Sequence, residues 1–106
     1  MIMKRKLRYI LVESSEPTGE ADHKELARKL EGQLGLFGQL DANPRVLKQF
    51  DATHFAIRVN RGAEGNVVLA LCFLKSLSGR RIGLYTLKTS GTLRSFIPYL
   101  RKIGVR

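Results

Sequence analysis

The residues best suited to chemistry in this chain are Ser90, Gly91 and Thr92, placed between a β-rich run and a helical one and flanked by Lys88 and Arg94. A helix N-terminus presents unpaired N–H groups and a partial positive charge, glycine lets an anion approach the backbone, and both hydroxyls can cap or donate. That combination suits a phosphate. The same residues would also serve as an ordinary helix cap with no ligand. What favours the ligand is the charge around them. From Gly65 onward the chain carries eight bases (Lys75, Arg80, Arg81, Lys88, Arg94, Arg101, Lys102 and Arg106) and no acidic residue.

Other bases fall at the ends of predicted elements. Arg80 and Arg81 open the last strand, Arg58 and Arg61 close the one before it, and Lys4, Arg5, Lys6 and Arg8 precede the first. Cations spread over several elements suit repeated phosphate contacts along a folded RNA, which fix register without reading bases. By contrast Tyr9 to Pro44 holds seven acids against three bases. The polyanion-facing surface is therefore expected mainly from the C-terminal part and the N-terminal tetrad.

Catalytic chemistry finds little support. His23 and His54 with a lysine could in principle cleave a phosphodiester by acid–base catalysis, but nothing in their spacing brings them together. His23 is expected in the first turn of a helix and His54 at a hairpin edge. The sequence has no paired carboxylates, metal-ligand cluster, Walker loop or nucleophile elbow, so no catalytic residue, metal ligand or bound cofactor is assigned. Cys72 is the only cysteine, which rules out an internal disulfide, and its neighbours Leu71 and Phe73 suggest a core thiol.

The 106 residues allow one domain, residues 1–106, with one modest core. Apolar residues make up 43% of the chain and the formal charge is +10. Such an excess is either a solvated surface or the footprint of a nucleic acid. A membrane surface is disfavoured, because no stretch of adequate length opposes bases to large apolar residues across a helix. The longest apolar run, Val67 to Leu74, is far short of the roughly 20 residues that span a bilayer, and the first ten residues lack a signal-peptide core. A cytoplasmic location is expected.

The elements that must position these residues follow from pattern. Arg8 to Glu13 reads as a strand ended by Pro17 and Gly19. Asp22 with Glu25 has capping-box spacing, and Leu26, Leu30, Leu34 and Phe37 follow at helical intervals, with Gly35 and Gly38 ending the helix near Phe37. After Asn43-Pro44, Arg45–Phe50 and His54–Asn60 form a hairpin. In its second strand Phe55, Ile57 and Val59 face the core while Arg58 lies on the outer face. Val67, Leu71, Leu74 and Leu77 share helical spacing, with Ser78-Gly79 as a stop. This helix is apolar nearly all round, so part of it is expected to be covered by a partner. Arg80–Lys88 is the last strand. A C-terminal helix follows, kinked or split at Pro98.

This order predicts an α+β fold: a ferredoxin-like, RRM-like sandwich, with a four-stranded antiparallel sheet, both helices on one face, and an added C-terminal helix. The other sheet face is expected to be available. It lacks the aromatic array of an RNA-recognition motif, with only Tyr85 as a platform, so recognition of shape and phosphate is favoured over base readout.

Tyr85-Thr-Leu-Lys-Thr-Ser-Gly-Thr-Leu-Arg94, the preceding Arg80-Arg81, the Arg8-Tyr-Ile-Leu start and Arg58-Val-Asn-Arg61 together resemble the archaeal ribonuclease P protein component 2 family over nearly the whole chain. The most specific piece is Thr-x-x-Ser-Gly-Thr followed by a basic helix. Pro98 and the short tail after Arg101 depart from the family's more continuous basic helix. The resemblance implies a non-catalytic subunit of the ribonucleoprotein that removes 5′ leaders from precursor tRNA, with RNA and Mg2+ forming the active centre. It implies ribonuclease P RNA, protein component 3 and further subunits as partners, in a homodimer or heterotetramer. Arg80, Arg81, Lys88, Ser90, Gly91, Thr92 and Arg94 would contact RNA. Val67, Val68, Leu71 and Leu74 on the apolar helix would form a protein interface. A ribosomal-type RNA-binding protein, or a protein adaptor with incidental charge, would fit the composition too.

Overall fold

A computed structural model describes residues 6–104, with residues 36–41 described by their backbone alone. Lys4, Arg5 and Arg106, and the side chain of Phe37, therefore lie outside the described residues. The elements are β1 (Leu7–Ser14), α1 (Glu20–Ala42), β2 (Arg45–Asp51), β3 (His54–Asn60), α2 (Glu64–Phe73), β4 (Ser76–Leu77), β5 (Arg80–Arg81), β6 (Leu84–Ser90) and α3 (Phe96–Lys102). Strands β2, β3, β1 and β6 pair in that order, antiparallel throughout. This is the ferredoxin-like order expected from the pattern of elements.

Strand alternation divides the apolar residues into two cores. Ile10, Val12, Phe55, Ile57 and Val59 face Leu26 and Leu30 of α1 and Val67, Ala70 and Leu71 of α2, all buried. Leu11 and Ala56 point to the opposite face, where Phe96 and Leu100 of α3 cover them. The face expected to be open is thus partly closed by the C-terminal helix. An α3 of seven residues is too short to be stable alone, so it is held by this packing.

Several boundaries differ from expectation for local reasons. Helix α1 begins at Glu20, which makes Asp22 its third residue rather than its cap. The carboxylate reaches back to accept the Gly19 N–H at 2.9 Å. At Gly35 the backbone turns to φ 72°, and helical structure resumes and runs to Ala42, past the end expected near Phe37. Asn43 with φ 43° and the following Pro44 then end it.

Ser78-Gly79 is a hairpin turn rather than a helix stop. Both residues have positive φ, 52° and 75°, as a two-residue turn of this hand requires, and they join β4 to β5. Leu77 is accordingly on a strand, and the single strand expected over Arg80–Lys88 is broken at Ile82-Gly83 into β5 and β6. Pro98 neither kinks nor splits α3. The helix starts at Phe96, so proline falls in the first turn, where its missing N–H has no helical partner to lose.

Candidate nucleic-acid interface

Because β1 lies between β3 and β6 and runs antiparallel to both, its first residues are flanked by the C-terminal ends of both neighbours. Three separated segments therefore meet at one end of the sheet. The Arg61 N–H donates to the Lys6 carbonyl at 2.7 Å, which fixes Arg61 beside the start of β1. Gly91 follows the last residue of β6, and a Cβ there would come within 3.0 Å of Arg8 Nη1. Glycine is what lets the guanidinium lie against this backbone. Lys6, Leu7, Arg8, Arg61 and Gly91 line a shallow cavity of about 400 Å³ with no acidic side chain.

Register extends the same theme across the outer face. One cross-strand row reads Arg45, Arg58, Tyr9, Ser90; the next reads Lys48, Ala56, Leu11, Lys88; the third reads Asp51, His54, Glu13, Tyr85. Charge thus changes sign along the strands, from basic at the Ser90 end to acidic at the opposite end. Arg45 directly opposite Arg58 is a like-charge pair that destabilises a bare sheet and that a bound anion would relieve. Lys88 lies 5.8 Å from the centre of the Tyr99 ring and Lys48 5.5 Å from that of Phe50, so both amines are held over aromatic faces.

The Ser90–Thr92 segment is not a helix N-terminus. A turn over residues 93–95 separates it from α3, closed by Phe96 N–H to Leu93 O and Ile97 N–H to Arg94 O. The Ser90 hydroxyl accepts the Thr92 N–H and the Ser95 hydroxyl, so it braces the turn. The Ser95 hydroxyl is also 2.8 Å from the Thr92 carbonyl. The anion-attracting feature here is the cationic strand end, with the exposed Arg94 on the turn beside it.

Arg80 and Arg81, adjacent in sequence, have different environments. Arg80 donates to Asp22 Oδ2 and to the Pro17 carbonyl, each at 3.1 Å, which latches the β4–β5 hairpin to the start of α1. The Ser78 hydroxyl donates to Asp22 Oδ1 at 2.6 Å, and the Ser78 N–H donates to Glu25. The Ser78 hydroxyl, the Gly19 N–H and the Arg80 guanidinium together outweigh burial and hold the Asp22 carboxyl below its ordinary value. Arg81 is exposed and lines a separate cavity with Tyr85.

His23 and His54 are apart and differently engaged. His23, in the first turn of α1, lies 3.2 Å from the Thr18 hydroxyl and packs on Phe55 with ring centres 4.9 Å apart and the rings tilted by 45°; burial pushes its pKa down. The buried His54 has Nδ1 2.9 Å from Asp51 Oδ1, which closes the β2–β3 turn, and Nε2 3.0 Å from Glu13 of β1.

On α2, Val67 and Leu71 are wholly buried and Val68 is half-buried, and Leu74, just past the end of the helix, is nearly buried. These residues belong to the molecule's own core, and the apolar surface that α2 turns outward is Leu69 and Phe73, 57% and 62% exposed. Cys72, expected inside, is exposed on the same helix. The spacing gave a stripe but not its inner side, because an all-round apolar helix has nearly no amphipathic direction.

Arg45 was missed by sequence reasoning. Two register shifts in the β2–β3 pair decide that it faces Arg58, and no residue pattern announces them.

A chain in a cryo-EM structure of yeast ribonuclease MRP shares the fold, with a TM-score of 0.61 and 18% identity over 97% of this chain and 92% of that one. No curated protein sequence matches significantly. The Rpp14/Pop5 family model matches residues 8–100, from the second residue of β1 into α3 and so across every strand that builds the basic sheet end. The chain therefore belongs to the Rpp14/Pop5 family of ribonuclease P protein subunits.

Proposed function

We propose that this chain, as a ribonuclease P protein subunit, grips the RNA component by its phosphates and supports RNA-based removal of the 5′ leader from precursor tRNA. The observation that carries the reading is the acid-free cavity of Lys6, Arg8, Arg61 and Gly91, at the same end of the sheet as the Arg45–Arg58 row. Lys88 and Arg94 extend it towards α3. Phosphate contacts of this kind set position, not sequence.

Bond cleavage is assigned to the RNA and its Mg2+. Among the described residues no group of three or more His, Cys, Asp or Glu side chains is placed to hold a metal ion. Ribonuclease P protein component 3 is the protein partner assigned to the exposed Leu69–Phe73 side of α2, with other subunits completing the particle. The assembly would work in the cytoplasm.

Substituting Lys6, Arg8 and Arg61 by alanine together is expected to weaken binding to ribonuclease P RNA and to reduce the slope of log K against log salt by nearly three, about 0.9 per lost phosphate contact. Filter binding across a salt series measures both. Loss of leader removal in the reconstituted particle should follow. A slope equal to that of the unaltered chain would contradict the reading.

A further inference from the structure

We propose that Tyr85 is a stacking platform for one unpaired RNA base, with Arg81 and Lys75 holding the adjoining phosphate. The proposal rests on the RNA-binding role above and adds a contact of a different kind, at the opposite end of the sheet from the Arg8 cavity. Four observations carry it.

First, Tyr85 is 55% exposed although the residues leading into it are anchored. Leu84 and Ile82 are 7% and 2% exposed, so the strand is fixed while the ring is offered to solvent. Second, β6 is an edge strand, and no element of the sheet covers its outer side. Third, the ring has a seat. Its hydroxyl end folds back across Gly83, where a Cβ would lie 2.5 Å from the phenolic oxygen. The Gly83 backbone is itself held by the Ser15 hydroxyl at 2.8 Å and by the Ser15 N–H at 2.9 Å. Fourth, Tyr85 borders a cavity of about 470 Å³ that Lys75 and Arg81 also line and that contains no carboxylate.

An aromatic ring beside two cations, its cross-strand neighbour Glu13 turned to His54 at 3.0 Å, matches a nucleotide, with a π-face for the base and positive charge for the phosphate. Stacking accepts any base, so this platform adds affinity for single strands without sequence readout. A duplex, whose bases already stack on one another, would gain nothing from it.

The test compares binding of the full chain to a labelled single-stranded uridine octanucleotide and to a duplex of equal length, by fluorescence anisotropy. Tyr85→Ala is expected to weaken single-strand binding about five- to a hundredfold, the usual effect of losing one stacked base, with the salt slope unchanged. Duplex binding should stay within about twofold, since the lost contact is stacking alone. Tyr85→Phe should behave as the unaltered chain. Gly83→Ala, which displaces the ring without deleting it, should lose single-strand affinity too. Arg81→Ala should lower the single-strand salt slope by about 0.7.

No measurable octanucleotide binding by the unaltered chain at low salt, equal weakening on both RNAs, or a Phe variant as impaired as the Ala variant would each overturn the platform. So would an Ala variant that binds RNA normally and instead releases a protein subunit from the assembled particle. If Tyr85→Ala is silent while the Lys6, Arg8 and Arg61 substitution still weakens binding, the platform fails and the phosphate reading stands; if both are silent, both fail.

Discussion

Neighbouring arginines in this molecule do different work, and the difference is measurable. Arg80 is tied to Asp22 and the Pro17 carbonyl, whereas Arg8 and Arg61 line a cavity to which no acidic side chain contributes. Arg80→Ala is accordingly expected to lower stability by about 1 to 3 kcal/mol, because it strips a charge-assisted bond from a mostly buried carboxylate. It should change the RNA salt slope little. Thermal unfolding beside the salt series separates the two effects. The sequence showed that both Arg80 and Arg81 were basic and near the last strand. It did not show that Asp22 claims the first, since their contact spans 58 residues and depends on the Ser78-Gly79 turn.

Acid stability follows from the same residues. Asp22 has its pKa depressed, so its contribution is full above the ordinary 3.8 and is lost as pH falls below it. His23 is also depressed, here by burial against Phe55. The folded chain therefore favours neutral imidazole, and that contribution is lost as pH falls below 6.5 through the folded value. Unfolding midpoints should decline in two stages on acidification. His23→Leu should remove the upper stage and leave the lower.

At the scale of elements, α3 depends on its docking. Phe96 is fully buried and Leu100 nearly so against Leu11 and Ala56. Phe96→Ala should cost about 3 to 5 kcal/mol if the site does not collapse, measurable as a lowered denaturant midpoint. The order of strands and helices was legible from periodicity and breakers, because alternation in β1 and β3 and the leucine spacing of α1 are strong local signals. The position of α3 was not. A helix of seven residues carries too few apolar positions to say which sheet face receives it, and Leu11 and Ala56 look unremarkable until the alternation of both strands is set side by side. The break between β5 and β6 was hidden in a similar way. Ser78-Gly79 serves equally well as a helix stop and as a hairpin turn, and the partner strand, Ser76–Leu77, is too short to show a pattern of its own.

Over the whole molecule, charge is sorted by topology rather than by sequence position. A chain with formal charge +10 places Asp51, His54 and Glu13 at one end of its outer sheet face and Arg45 and Arg58 at the other, with Arg8 and Arg61 lining the cavity at that same end. Antiparallel pairing produces this, since it gathers the beginnings of β1 and β2 with the ends of β3 and β6. The excess of bases was plain in the sequence, and so was the Ser-Gly-Thr segment. Their convergence on the start of β1 required the strand order. The most direct test attaches an iron chelate to a single introduced cysteine, in a Cys72→Ser background, at Thr92 on the basic end or at Thr53 on the acidic end. Hydroxyl radicals from the Thr92 position should cut ribonuclease P RNA in the assembled particle strongly at one discrete region, and those from Thr53 should cut that region weakly or not at all. Equal cutting from both positions, or cutting from Thr53 alone, would contradict the account.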